Sequence, residues 1–210
     1  NPFLNSISHQ FSHPDWNGFR FYDLIFPLFL FIAGVATPYS VGRQLEKGVS
    51  RQKLLWRVIK RGLILVLLGI IYNNGLSIQP ISEMRFGSVL GRIGLAYMFA
   101  NIIYLYTPKQ RNQIIWTGSL LLGYWIILLC TSAPGFPAGD LTIEGNFASY
   151  MDRLLVPGKL YVNNIHDPEG LFSTIPAIAT GLLGILTGGF LKNSSLSPNT
   201  KAVRLLAAGA

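Results

Sequence analysis

Three stretches of this sequence hold residue types spaced for proton or acyl chemistry. The first is His13-Pro14-Asp15-Trp16-Asn17-Gly18, followed by Asp23 inside Phe21-Tyr22-Asp23-Leu24-Ile25-Phe26-Pro27 and an apolar run to Ala36. The second is Arg92 within Leu90-Gly91-Arg92-Ile93-Gly94, and the third is His166-Asp167-Pro168-Glu169-Gly170 ahead of another apolar run. An unperturbed imidazole titrates near 6.5, so His13 could act as a general base or a nucleophile. Asp23 stands at the mouth of an apolar span, where a carboxylate must pair, face a polar cavity or take up a proton.

Each residue has a chemical and a plainer reading. His13 is a catalytic group or a loop histidine bonded to backbone. Trp16 stacks on a substrate or anchors a helix at a membrane interface. Asn17 orients a ligand or caps a helix start. Arg92 lies about six residues, or roughly 9 Å of helix rise, into its span, which puts it level with Asp23. The two are expected to pair, as a catalytic couple or as a fastening between helices. His166, Asp167 and Glu169 bind a cationic or hydroxylated substrate, accept a proton, or simply complement a helix dipole. No ligand spacing supports a metal site from His13, His166 and a carboxylate, so none is expected. Cys130, the single cysteine, reads as an inert small hydrophobe.

The elements that must position these residues are membrane helices. Half of the 210 residues are apolar and only 12% are charged, about half the usual ~25% of soluble domains. The chain reads as a single all-α transmembrane bundle over residues 1–210. Five spans are expected at about 21–41, 54–72, 86–106, 114–131 and 171–191, with a sixth starting near Val203, and each suits a helix crossing ~30 Å. A long loop over 132–170 separates the fourth and fifth. The chain starts at Asn1 and stops within an apolar run from Leu205 to Ala210, and reads as an internal piece of a longer protein.

The net charge of +8 is topological rather than a nucleic-acid signal. Twelve of the 17 basic residues, among them Arg43, Arg51, Lys109 and Lys192, fall on one side of the spans with a single acid, Glu46. That side reads as cytoplasmic. His9, His13, Asp23, His166 and the 132–170 loop then lie on the outer side.

These residues resemble a known family. His13-x-x-Trp16-Asn17-Gly18, Asp23-Leu24-Ile25-Phe26-Pro27 with Phe31-Ile32-Ala33-Gly34, Gly91-Arg92-Ile93-Gly94, Tyr150-Met151-Asp152-Arg153-Leu154-Leu155 and Asp167-Pro168-Glu169-Gly170 are similar, in order and spacing, to the heparan-α-glucosaminide N-acetyltransferases and their bacterial relatives. The resemblance covers about His13 to Leu191. It implies a membrane acyltransferase that moves an acetyl group from cytosolic acetyl-CoA to an amino sugar or glycan on the outer side. It implies His13 as the catalytic residue, acting as base or acetyl carrier, with Asp23 or Asn17 fixing its tautomer. Arg92 would stabilise the thioester oxyanion beside the cofactor or pair with Asp23, and Trp16, Arg92, His166, Asp167 and Glu169 would contact substrate. It also implies a bacterial inner membrane, lipid as the surrounding partner, and room for a homo-oligomer. A different class of function, a solute transporter whose Asp23 and Arg92 line the path, is allowed by the same charges. So is a non-catalytic membrane scaffold.

Overall fold

The computed structural model describes residues 2–76 and 79–209. It is all-helical. Helix α1 (Pro2–Gln10) and a 3-10 turn (Phe21–Leu24) precede α2 (Ile25–Glu46), α3 (Arg51–Asn74), α4 (Val89–Tyr106), α5 (Gln110–Cys130), the short α6 (Phe147–Leu155), α7 (Thr174–Lys192) and α8 (Pro198–Gly209). Among the described residues the only β features are two isolated bridges, Arg85 to Gly158 and Val162 to His166.

Local chemistry sets the helix ends. The Ser50 hydroxyl accepts from Lys53 N to start α3, and Gly75 ends it at φ 68°. Ser88 accepts from Gly91 N at α4, and Asn146 from Ser149 N at α6.

Helix α7 is the hub, packed against α2, α4 and α5, while α3 lies on α4. The α2–α7 seam is parallel and built from small residues. A Cβ on Gly34 would overlap the Gly181 carbonyl, one on Gly184 the Phe31 carbonyl, and one on Gly188 the Val35 carbonyl. Backbones this close gain the dense van der Waals packing that holds helices together where lipid removes the hydrophobic drive. Thr37 and Asn101, both buried, add a hydrogen bond from α2 to α4 at 3.2 Å.

Among the described residues four helical stretches are long and apolar enough to cross a membrane: Phe21–Glu46, Val89–Tyr106, Gln110–Cys130 and Thr174–Lys192. Side chains such as Ile115, Leu122, Trp125, Ile126 and Leu129 of α5 are exposed, as expected of a surface that meets acyl chains. The protein is an integral membrane protein. The expected count of five spans and part of a sixth goes beyond these four. The second expected span, α3, is a 24-residue helix, but Arg51, Lys53, Arg57, Lys60 and Arg61 crowd its first half. The sixth, α8, is a 12-residue helix from Pro198 to Gly209. Cys130 ends α5 exposed rather than packed inside.

The long connection over 131–173 contains α6 and folds across one end of the bundle. It meets the segment before α2 where Trp16 Nε1 donates to the Leu141 carbonyl at 2.9 Å. It meets the α3–α4 connection where Lys159 N donates to the Met84 carbonyl at 2.8 Å. Three segments far apart in sequence thus converge at that end.

Candidate active site

The 3-10 turn brings Asp23 back toward the loop before it. Asp23 N donates to the Arg20 carbonyl at 3.0 Å and Asp23 Oδ2 accepts from Arg20 N at 2.8 Å, a reciprocal arrangement like a capping box. The other oxygen, Oδ1, lies 2.5 Å from His13 Nδ1. The Arg20 guanidinium donates to the His13 carbonyl at 2.8 Å and to Ser12 Oγ at 2.5 Å. Backbone and ring of His13 are therefore both held. Since Asp23 accepts, Nδ1 carries a proton, and in the neutral ring the lone pair sits on Nε2, as in other imidazoles oriented by a carboxylate. The ring is edge-on to Tyr22 at 4.6 Å and its side chain is 65% exposed, so Nε2 is free to meet a substrate.

Two chambers meet at this dyad. One, about 570 Å³, is bordered by His13, Asp15, Trp16, Asp23, Arg85, Tyr161, His166 and Glu169. The other, about 400 Å³, runs between α2 and α4 and is bordered by His13, Tyr22, Asp23, Phe26, Phe29, Val89, Arg92, Ile93 and Glu169. The first is lined by charged groups and aromatics, the second mainly by apolar side chains. His13, Asp23, Pro168 and Glu169 border both.

The floor is a charge cluster absent from the sequence expectations. Arg85 donates through Nε and Nη2 to Asp167 at 3.0 and 2.8 Å, and through Nη2 to Glu169. Its guanidinium lies 4.4 Å from the centre of the Tyr161 ring. Asp167 is fully buried and also accepts from Tyr161 N and Glu169 N. Burial pushes its carboxyl up, but the Arg85 hydrogen bonds and charge prevail and hold it below the usual range. Gly87 leaves room for it: a Cβ there would stand 2.6 Å from Asp167 Oδ2. Glu169 goes the other way, raised by burial with help from the neighbouring Asp167.

These placements sort the expected residues. His13, Trp16, Asp23, His166 and Glu169 border the larger chamber. Asp167 is not among the residues that border it, and its oxygens accept from Arg85 and from the Tyr161 and Glu169 N–H groups. Neither acid sits in the first turn of α7, which starts at Thr174. Asn17 is exposed, borders neither chamber and caps no helix; Asp23 takes the tautomer-fixing position. The expected Asp23–Arg92 ion pair does not form among the described residues. Arg92 instead donates to the Pro168 carbonyl and, at 2.7 Å, to the Ser173 carbonyl, while packing over Phe26. It clamps the loop before α7 with one bond from each Nη to a backbone carbonyl, while its buried Nε has no hydrogen-bond partner among the described residues. No group of three or more His, Cys, Asp or Glu that could hold a metal occurs among the described residues.

Arg85, Ser149 and Asp152 were missed. Asp152 is fully buried on α6, where it accepts from Phe172 N at 3.0 Å, and burial pushes its carboxyl up. The one available signal for Arg85 was residue choice. On the end away from the basic loops, four of the five cations are arginine (Arg20, Arg85, Arg92, Arg153). All four turn out to hold loops through carbonyls or carboxylates, work that suits a rigid five-donor fork better than an ammonium.

No protein-family model matches the chain. It is similar to human heparan-alpha-glucosaminide N-acetyltransferase, 29% identical over 86% of this chain and 34% of that protein. It is likewise similar to the mouse enzyme of the same name, at 28% identity over 86% of this chain and 35% of that one. The chain is a relative of the heparan-alpha-glucosaminide N-acetyltransferases. It spans about a third of the length of these curated relatives. The acetyltransferase name of its relatives gives the His13–Asp23 dyad, set where two chambers meet, a chemistry to be tested against.

Proposed function

We propose that this chain carries the acetyl-transfer centre of a transmembrane N-acetyltransferase, taking acetyl from acetyl-CoA and delivering it to an amino sugar or glycan. The observation that carries this reading is His13 Nε2, unpartnered and held by Asp23 at the meeting point of an apolar and a polar chamber, in a chain whose relatives are named N-acetyltransferases. The apolar chamber between α2 and α4 suits the thioester arm of the donor. The polar chamber suits the sugar, whose ammonium is drawn to Asp15 and Glu169 and gives one proton to solvent before the amine can attack.

Two routes fit His13. In one, Nε2 attacks the thioester carbonyl carbon, the C–S bond breaks and CoA leaves as thiolate. The sugar amine then attacks the acetyl-imidazole, the C–N bond to His13 breaks, and the amine proton passes to the thiolate through His13 or solvent. In the other, Nε2 takes the amine proton as the nitrogen attacks the thioester directly, then returns it to the leaving sulfur. Labelled acetyl trapped on His13 without acceptor distinguishes the first.

The basic helix ends support a topology with Glu46, Lys109 and Lys192 at the cytoplasm of a bacterial inner membrane and His13 on the periplasmic side. With α3 drawn in against α4 as a further crossing, the chain supplies five spans and α8 leads into a sixth. The transport alternative needs Asp23 and Arg92 facing a common path, whereas Asp23 is bonded to His13 and Arg92 is turned to the carbonyls of the loop before α7. The test is transfer of labelled acetyl from acetyl-CoA to a panel of amino sugars in proteoliposomes. Loss of a base of this kind costs on the order of 10²–10⁴-fold, so His13→Ala should fall by at least that much while still binding CoA. Near-normal turnover in the variant sinks the assignment.

A further inference from the structure

The chamber that holds His13 also holds a second imidazole, bonded in the opposite sense. Ser149 on α6 is wholly buried. Its Oγ accepts from Asn146 Nδ2 at 2.9 Å and lies 2.8 Å from His166 Nδ1. A buried hydroxyl must give its proton to an acceptor. Among the described residues the acceptor it meets is Nδ1 of His166. Nδ1 is then the lone-pair nitrogen, and the ring proton sits on Nε2. Burial also lowers the pKa of this ring from its ordinary 6.5, so it stays neutral at pH 7. Nε2 has no protein partner among the described residues and is not sealed from the chamber that the ring borders. The ring is held from the side as well. Trp16 packs at right angles to it with centroids 4.9 Å apart, and Trp16 is itself tied to the Leu141 carbonyl.

His13 therefore offers a lone pair to the chamber and His166 offers an N–H. We propose that His166 is a fixed-tautomer hydrogen-bond donor that positions the acceptor sugar, giving its Nε2–H to a hydroxyl or ring oxygen while Ser149 holds Nδ1. This rests on reading the larger chamber as the acceptor side of acetyl transfer. A neutral donor suits an uncharged sugar oxygen and leaves the acids to the ammonium. The role is that of a positioning contact: it orients the amine toward His13 and moves no proton.

The experiment uses the full chain in detergent with 15N-labelled histidine, its three histidines assigned by the resonances lost in His166→Gln. At pH 7 the His166 ring should be neutral with its proton on Nε2, and glucosamine should shift that Nε2–H resonance. An Nδ1–H ring, an imidazolium, or no response to saturating glucosamine overturns the proposal, whether or not acetyl is transferred. Kinetics with acetyl-CoA and glucosamine give the second reading. Loss of one neutral hydrogen bond is worth about three- to tenfold, so His166→Asn, whose amide reaches only the Nδ1 position, should raise the glucosamine KM by that factor. The acetyl-CoA KM should not move. His166→Gln, whose amide nitrogen reaches the place of Nε2, should recover most of the loss. Equal damage in both variants, or damage to both KM values, means a structural role only. Failure of the wild type to acetylate any amino sugar overturns the acetyltransferase reading separately, because the tautomer and the glucosamine shift are read without turnover.

Discussion

Replacing Arg85 with alanine should damage the fold more than any other single change at the loop end of the bundle. Asp167 is fully buried, and among the described residues Arg85 is its only cationic partner, through two hydrogen bonds at 3.0 and 2.8 Å. Removing one partner of a buried pair costs about 3–5 kcal/mol, because the remaining charge is stranded. Two features favour the lower end. Backbone N–H groups of Tyr161 and Glu169 still reach Asp167, and the Arg85 side chain keeps 21% of its exposure, so solvent already screens part of the interaction. About 3 kcal/mol at roughly 2–4 °C per kcal/mol for a chain of this size is a drop of about 6–12 °C in apparent Tm. Thermal unfolding of the detergent-solubilised protein reads it directly. Arg85→Lys keeps the charge and loses the fork, so it should cost about half as much. The decisive variant is the double change Arg85→Ala with Asp167→Asn. With no charge left to strand, it should be more stable than Arg85→Ala alone. A single variant within about 0.5 kcal/mol of wild type, or a double variant no better than the single, would refute the reasoning.

Other consequences are open to simpler tests. Asp23→Asn should leave the protein folded but cut acetyl transfer by on the order of 10²–10⁴-fold, since the amide no longer enforces the Nδ1–H tautomer of His13; unchanged turnover means the carboxylate is only a helix-start contact. Gly170→Ala puts a Cβ onto Asp152 Oδ2, a side chain that is fully buried. Overpacking of this kind costs about 1–3 kcal/mol, so a variant as stable as wild type would show that the contact between α6 and the loop before α7 is slack. The lowered pKa of His166 has a definite sign: the unfolded ring takes up a proton first, so its effect is absent above 6.5 and stability falls as pH drops below it. His166→Gln should flatten the unfolding curve just below about pH 6.5, and an unchanged slope would place the acid sensitivity elsewhere.

Much of this protein was legible in the chain because it is local. Continuous apolar runs with few charges can satisfy their backbone in lipid only as helices, so the spans were readable to within a few residues at most ends. The 3-10 turn and α2 also explain why His13 and Asp23, ten residues apart, could be tied to one centre from sequence. The span count was less legible. Length and periodicity make α3 a helix, but they do not say whether its basic first half leaves enough apolar length to cross.

What only the tertiary structure decided depends on contacts far apart in sequence. Arg85 and Asp167 are 82 residues apart and meet because the α3–α4 connection and the loop before α7 fold onto the same bundle end. Arg92 looked like a partner for Asp23 because both sit at similar depth. Depth along a helix says nothing about which neighbour lies beside it, and the loop carbonyls at Pro168 and Ser173 took its donors. His166 shows the same limit more finely. Its presence near a span was visible in the sequence, but whether it offers a proton or a lone pair was set by a serine 17 residues away on another element. Composition and periodicity specify what each segment is. The partners of each polar group, and hence the chemistry it can perform, follow from which segments the packing brings together.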